Sequence, residues 1–451
     1  MSAHAARAVA RGWHRRVWRL AGPIILSNIT IPLLGAVDTA VVGHLDHAYY
    51  LGAVAIGAMI FNFLYWGFGF LRMGTTGFTA QAHGADDADE VRATFARALV
   101  IALVIAAMIL LLQLPVIAGA MALMDASREV DEHARTYFAI RIWGAPAALA
   151  NYVVLGWFLG IQNARACLYL QVWINALNIV LDLVFVVGLG MAVEGVAIAT
   201  VIAEYAGLAL GIAMIRATLG RLGGRLTRAG VLDPARLGRM VGINRDIFLR
   251  TLCLISAFAY LTAQGARMGD VILAANAVLL NMVGFASFAL DGFAHAAQAL
   301  VGRAVGARDR DMYRGAVHAS SLWALVTAAA FAAAYAAAGT PVVDALTGVA
   351  EVRAAARAVM PWVIAGPLVW VWSYQFDGIF LGATRGRELR NAMVVSLAAY
   401  LAAIEIFRPL LGNHGLWLAF TVFMAARGLT LAYYYPRIER DIETPRSSAR
   451  R

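Results

Sequence analysis

The sequence predicts an all-α polytopic membrane protein of twelve transmembrane helices in two six-helix lobes. Composition, the spacing of arginine, and an internal repeat lead to that class. Of 451 residues, 61% are hydrophobic and only 14% charged, whereas a soluble domain is typically about 25% charged. Apolar runs long enough to cross a bilayer, about 20 residues each, recur from end to end. All 37 basic residues are arginine and give a net charge of +10. They gather at the ends of apolar runs, the pattern of topology signals, so no nucleic-acid partner is expected.

The spans fall near residues 18–43, 51–81, 92–117, 134–161, 166–190, 194–216, 244–266, 271–303, 315–338, 353–382, 390–411 and 415–435. The first follows an Arg-rich start (Arg7, Arg11, Arg15, Arg16) and contains Pro32 and Asp38. It is too long and too interrupted for a cleaved signal peptide and reads as a retained helix. The second carries Arg72. The third is introduced by "GADDADEVR" (84–92), read as a solvated helix start rather than a metal site. The fourth holds Arg141 and Asn151, the fifth Asn178 and Asp182, and the sixth Thr200 and Glu204. A basic, glycine-containing stretch, 217–243, separates the lobes. In the later half, the eighth and tenth spans carry Asp291 and Asp377, each followed by glycine, and 436–451 forms a basic tail. The domain plan is therefore 1–216, linker 217–243, 244–435, and tail.

The two tails and the connections after the sixth, eighth and tenth spans are Arg-rich, whereas "GHLDHAYY" (43–50), "LGMAVE" (189–194) and "GNHG" (412–415) have no arginine. Both termini are thus expected on the cytoplasmic side. One constant shift, the one that carries position 51 to position 273, lays "LGAVAIGA" (51–58) over "LAANAVLL" (273–280). It also lays "AHGADD" (82–87) over "AVGARD" (304–309), and "FLGIQ" (158–162) over "FLGAT" (380–384). Six helices per repeat give both halves the same orientation, as in parallel-repeat carriers. Cys167 and Cys253 form no CxxC pair, and the nine histidines show no metal-ligand spacing.

Intramembrane acids are costly, and they mark ion pathways. Counted from the outer helix ends at ~1.5 Å per residue, Asp38 lies roughly 8 Å deep, Asp182 roughly 12 Å and Thr200 roughly 9 Å. Asn178 shares a helix face with Asp182. Two carboxylates, an amide and a hydroxyl suit Na⁺ or H⁺; interhelical hydrogen bonding alone is the plain alternative. The repeat maps Asp38, Asn178 and Asp182 to Tyr260, Tyr400 and Ile404, and a slightly shorter shift maps Thr200 to Phe420, so the polar set belongs to one lobe. Pro32, six residues before Asp38, weakens helix 1 locally and offers a bend. Glu204 and Arg72 are buried by position and read best as members of internal Arg–acid pairs. Asp291 and Asp377 are either a second ionisable site or backbone caps.

The stretches "SNITIPLLGAVDTAVVGHLD" (27–46), "FLRMGTTGFTAQAHGA" (70–85), "NIVLDLVFVVGL" (178–189), "ATVIAEYAGL" (199–208), "LDGFAHA" (290–296), "LGATRGRELRN" (381–391) and "GNHGLWLAFTVF" (412–423) resemble the multidrug and toxic compound extrusion (MATE) transporters. Within that family the likeness is to the subgroup of DNA-damage-inducible protein F. The resemblance implies two six-helix lobes forming a V in a bacterial inner membrane. It also implies export of small amphipathic substrates against H⁺ or Na⁺, with no enzymatic activity and no cofactor beyond the coupling ion. By the subgroup's pattern the N-lobe ion site maps to Asp38, Asn178, Asp182 and Thr200, with Asn151 a fifth candidate. A monomer among membrane lipids is expected. A lipid-linked-precursor flippase would need a basic central cavity, and an intramembrane prenyl-transfer enzyme would need repeated Asp clusters at one membrane face. The sequence offers neither.

Overall fold

A computed structural model describes residues 3–43, 47–124 and 126–443. In the first helix the side chains of residues 3–11, 31–33, 36, 38 and 39 lie outside that description; Pro32 and Asp38 are among them. The chain is almost wholly helical. In order, the helices are α1 (Ala3–Val42), α2 (Ala48–Gly84), α3 (Ala88–Leu111), α4 (Arg128–Gly160), α5 (Ala164–Gly188) and α6 (Val193–Leu222). The later half contains α7 (Pro234–Ala266), α8 (Asp270–Ala307), α9 (Arg310–Leu346), α10 (Ala350–Gly382), α11 (Gly386–Leu411) and α12 (Asn413–Glu443). Helix covers each of the twelve expected stretches. Eleven segments among the described residues are long and apolar enough to cross a membrane.

Packing divides the chain into two units, Leu26–Arg239 and Met1–Ile25 with Met240–Arg451. The boundary differs from the expected one in that the start of α1 packs with the later half. Trp18 meets Phe293 and Trp323 edge-on at 5.4 and 5.2 Å, and the Trp323 indole donates to His14 at 3.1 Å. The linker is also shorter than expected. α6 runs to Leu222 and α7 starts at Pro234, with a single helical turn, Arg228–Val231, between them.

The repeat is visible in the backbone. Asp87 and Asp309, related by the same constant shift, cap α3 and α9 by accepting from the N–H three residues on, at 2.9 and 2.8 Å. The residues just before them, Asp86 and Arg308, both take left-handed φ, 53° and 55°. Closest helix approaches repeat as well. A methyl on Gly156 of α4 would lie 2.5 Å from the Arg72 carbonyl oxygen of α2, and one on Gly378 of α10 would overlap the Ala294 carbonyl of α8. The shift relates both members of that contact once more. Bare glycine lets these backbones touch, so α2/α4 and α8/α10 form the same tightly crossed pair in each unit.

Irregular turns interrupt several helices. α2 breaks at Phe68–Gly69, α4 contains a 3₁₀ turn at Ile142–Gly144, and α5 ends in a π-helical turn, Leu183–Gly188. Such turns leave carbonyls without regular helical partners and recur at functional sites.

Candidate functional site

On α5 the positions 171, 175, 178 and 182 fall on one face, at spacings of four, three and four. The sequence fills them with Gln171, Asn175, Asn178 and Asp182. The other faces of α5 are apolar and exposed, with Val172, Trp173, Val180 and Leu183 all more than two-fifths accessible. The helix is therefore amphipathic in reverse, polar toward protein and apolar toward lipid.

Asp182 is fully buried, and Asn178 is 1% exposed. Asp182 is the last α-helical residue before the π turn. Between the carboxylate and α6 sits the Asn178 amide, for which the surrounding donors and acceptors favour one of two orientations. In one, its NH₂ donates to Asp182 Oδ2 at 3.2 Å while its oxygen accepts from the Thr200 N–H at 3.1 Å. In the other, its NH₂ reaches Thr200 Oγ1 at 3.2 Å, whose hydroxyl donates to the Val196 carbonyl at 2.8 Å, but it also faces the Thr200 N–H, donor to donor. The first arrangement suits a carboxylate. The second sets the amide oxygen against Asp182, acceptor to acceptor, so the first is the orientation that the site satisfies.

Glu204, one turn beyond Thr200 on α6, meets a different partner. Arg141 of α4 donates to both its oxygens, at 3.0 and 2.6 Å. Gly144 in the 3₁₀ turn makes room for this pair, because a methyl there would lie 2.6 Å from Arg141 Nη1 and 2.7 Å from Glu204 Oε2. The rings of Phe61 and Tyr65 face the guanidinium at 5.1 and 5.6 Å. Asn151 donates to the Glu204 carbonyl at 3.0 Å, so it stands one helical turn away from Asn178 and Thr200. The expected internal pair thus forms between Glu204 and Arg141; Arg72 lies on α2, its backbone against Gly156.

Below Asn178 on the same α5 face, Asn175 donates to Thr30 Oγ1 of α1 at 2.9 Å and to the Thr30 carbonyl at 3.3 Å. Gln171 donates to Asn175 Oδ1 at 2.9 Å. The sequence reading passed over Gln171 and Asn175, although the four-three-four spacing with Asp182 was the available signal.

In the later half, Asp377 is clasped by Arg250 and by Arg427 at 2.6 Å, all three at least nine-tenths buried. Asp291 is half-buried, within electrostatic reach of Tyr374 as Asp377 and Arg427 are. Two guanidinium groups on one carboxylate leave no deficit of positive charge there, so this cluster resembles the Asp182 site in neither chemistry nor partners. The acidic stretch before α3 also has partners. Glu90 accepts from Arg97 at 2.5 Å and from Arg236, and Asp89 accepts from the Arg225 N–H at 2.6 Å. Arg92 donates to the carbonyls of Gly223 and Leu219 at 2.6 and 2.5 Å. The motif read as a solvated helix start instead holds the linker. Cys167 and Cys253 are free thiols. No group of three or more His, Cys, Asp or Glu stands in metal-binding proximity among the described residues.

The family model MatE matches residues 23–184 and 247–406, one copy for each half of the repeat. The chain belongs to the MATE family. It is 46% identical over 433 residues to DNA damage-inducible protein F of Escherichia coli (strain K12), covering 95% of this chain and 93% of that protein. It is 26% identical to Protein DETOXIFICATION 44, chloroplastic, of Arabidopsis thaliana, covering 91% and 80%. Two solved structures share its fold. The Vibrio cholerae MATE transporter VcmN in the bent form has a TM-score of 0.86 at 19% identity, over 96% of this chain and 99% of that one. A MOP superfamily transporter from Pyrococcus furiosus has a TM-score of 0.86 at 20% identity, over 97% and 98%. As a MATE protein the chain is a multi-pass membrane transporter rather than an enzyme.

Proposed function

We propose that this transporter is a secondary antiporter of the bacterial inner membrane, exporting amphipathic cationic substrates in exchange for protons. Asp182 and Asp38 carry the coupling ion; Asn178 and Thr200 read its presence. Both termini are cytoplasmic, in keeping with arginine on that side. The observation that supports this reading most is the setting of Asp182. It is a fully buried carboxylate that accepts from the Asn178 amide, which in turn accepts from the Thr200 N–H. Protonating Asp182 weakens the bond it accepts from the Asn178 NH₂, and the amide passes that change from α5 to Thr200 on α6.

Position 38 reaches the same level by register. From the Thr30–Asn175 hydrogen bond, eight residues along α1 advance about 12 Å and seven along α5 about 10.5 Å. Odd-numbered helices run in the same direction, so position 38 stands level with Asp182. A flippase is disfavoured because Arg141 is neutralised by Glu204 and Arg250 and Arg427 are both engaged by the buried Asp377.

The test is ethidium efflux from proteoliposomes driven by an imposed pH gradient or, separately, by a Na⁺ gradient. Wild-type protein should respond to the pH gradient, with Asp182→Asn and Asp38→Asn each lowering uphill efflux at least tenfold. Efflux driven by Na⁺ alone replaces the proton with sodium; undiminished efflux by either variant removes that residue from the coupling site.

A further inference from the structure

We infer that Gln171, Asn175 and Thr30 form the cytoplasmic leg of the coupling-ion path, with the Asn175–Thr30 hydrogen bond its closed gate. The inference rests on Asp182 being the coupling site. Gln171, Asn175, Asn178 and Asp182 fall within an arc of about 60° on α5, at about 100° per residue. They run for about 16 Å along it, roughly half of a hydrocarbon core about 30 Å thick. Asp182 lies at the outer end of this seam and Gln171 at the inner end.

The polar seam is not a requirement of the fold, because the protein contains its own control. The constant shift of the repeat carries Gln171, Asn175, Asn178 and Asp182 onto Met393, Leu397, Tyr400 and Ile404 of α11. Met393, Tyr400 and Ile404 are at least 98% buried, and Leu397 packs against the same apolar cluster. Thr30 maps to Leu252. The same helix in the same architecture is thus held in one unit by an apolar seam and in the other by a polar one. Intramembrane polar residues that packing does not demand mark a route for ions or water.

The arrangement explains both states of the path. In this structure the amides satisfy one another. Gln171 donates to Asn175, Asn175 donates to Thr30, and the Thr30 hydroxyl donates to the Ser27 carbonyl at 2.7 Å. The seam is closed and needs no water. Turning the Thr30 segment of α1 away would free the Asn175 NH₂ together with Thr30 Oγ1, beside the Gln171 amide. Those groups line a continuous track from Asp182 toward the cytoplasm, where water replaces the lost bonds at little cost. Pro32, two residues beyond Thr30, is suited to such a turn.

The experiment uses full-length protein in proteoliposomes with two assays, ion-gradient-driven ethidium efflux and ethidium–ethidium exchange without a gradient. Exchange needs substrate sites and lobe movement but no release of the coupling ion. Asn175→Leu and Gln171→Met install the residues that the twin helix already accommodates. Asn175→Leu should lower driven efflux at least tenfold and leave exchange within twofold of wild type. Asn175→Ser, which keeps a hydrogen-bonding group, should recover at least half of the driven rate. Equal loss of driven efflux and exchange in Asn175→Leu would mean a structural role and overturn the inference. So would wild-type driven efflux by Asn175→Leu, or no recovery by Asn175→Ser. Asp182→Asn, run alongside, separates the two claims. If it couples normally, the coupling site itself is wrong; if it uncouples while Asn175→Leu does not, only the seam is wrong.

Discussion

Asp182 and Glu204 are both buried carboxylates of the first unit, and their neighbours give them different work. Glu204 is neutralised by two hydrogen bonds from one guanidinium, so a further cation adds little there. Asp182 is approached by the neutral Asn178 amide, and its charge can be exchanged for a proton without stranding an arginine. Stability should record the difference. Glu204→Gln leaves the Arg141 charge buried without its counter-ion and should cost about 3–5 kcal/mol. Arg141→Met combined with Glu204→Leu should recover most of that loss, since replacing both members of a buried pair removes their desolvation as well. Asp182→Asn should change stability by less than about 1 kcal/mol, because it removes a buried charge and keeps the hydrogen-bonding shape. Thermal unfolding in detergent measures all three; a Glu204→Gln protein as stable as Asp182→Asn would contradict this division.

At the scale of helices, the close crossings are the rigid joints. Gly156 and Gly378 each face backbone of the partner helix rather than a side chain that could move aside. Alanine at either should force the helices apart and cost about 1–3 kcal/mol or more, by similar amounts in the two units. The connection between the units is held differently. Arg92 caps the end of α6 through the Leu219 and Gly223 carbonyls, a long-range contact that no local pattern announces. Arg92→Ala should weaken that cap by about 1 kcal/mol and speed tryptic cleavage near Arg221, Arg225 and Arg228 about fivefold, read by mass spectrometry of the fragments. An unchanged cleavage rate would mean that the cap does not restrain the linker. Helix number and order were legible in the sequence because apolar length and charge are local quantities. The polar face of α5 was legible too, as a period. The pairing of Arg141 with Glu204 was not, since it depends on a 3₁₀ turn and on room left by Gly144, and neither has a distinctive local signature.

For the whole molecule, one six-helix plan has been used twice and specialised once. Paired caps, left-handed turns and glycine contacts recur at a constant offset, so the plan is set by short-range chemistry that a sequence shift can reveal. The acids break the symmetry, because Asp182 has an apolar twin and Asp377 has none of the neutral partners that Asp182 has. The assignment of α1 to two units escaped the sequence reading, since Trp13, His14 and Trp18 gave no local sign that their neighbours lie near residues 293–323. Orientation in the membrane carries the last prediction, because a parallel repeat requires an even number of crossings in each half. With Cys167 and Cys253 replaced by alanine, single cysteines at His47, Arg225, Arg387 and His414 can be tested in oriented vesicles with a membrane-impermeant maleimide. All four positions have exposed side chains and follow the first, sixth, tenth and eleventh helices. Positions 225 and 387 should react only from the cytoplasmic face, and 47 and 414 only from the opposite one. Inverted labelling of all four would reverse the orientation and keep the repeat. Labelling of 47 and 225 from the same side would require an odd number of crossings between them to become even, and the two halves could then no longer be parallel copies.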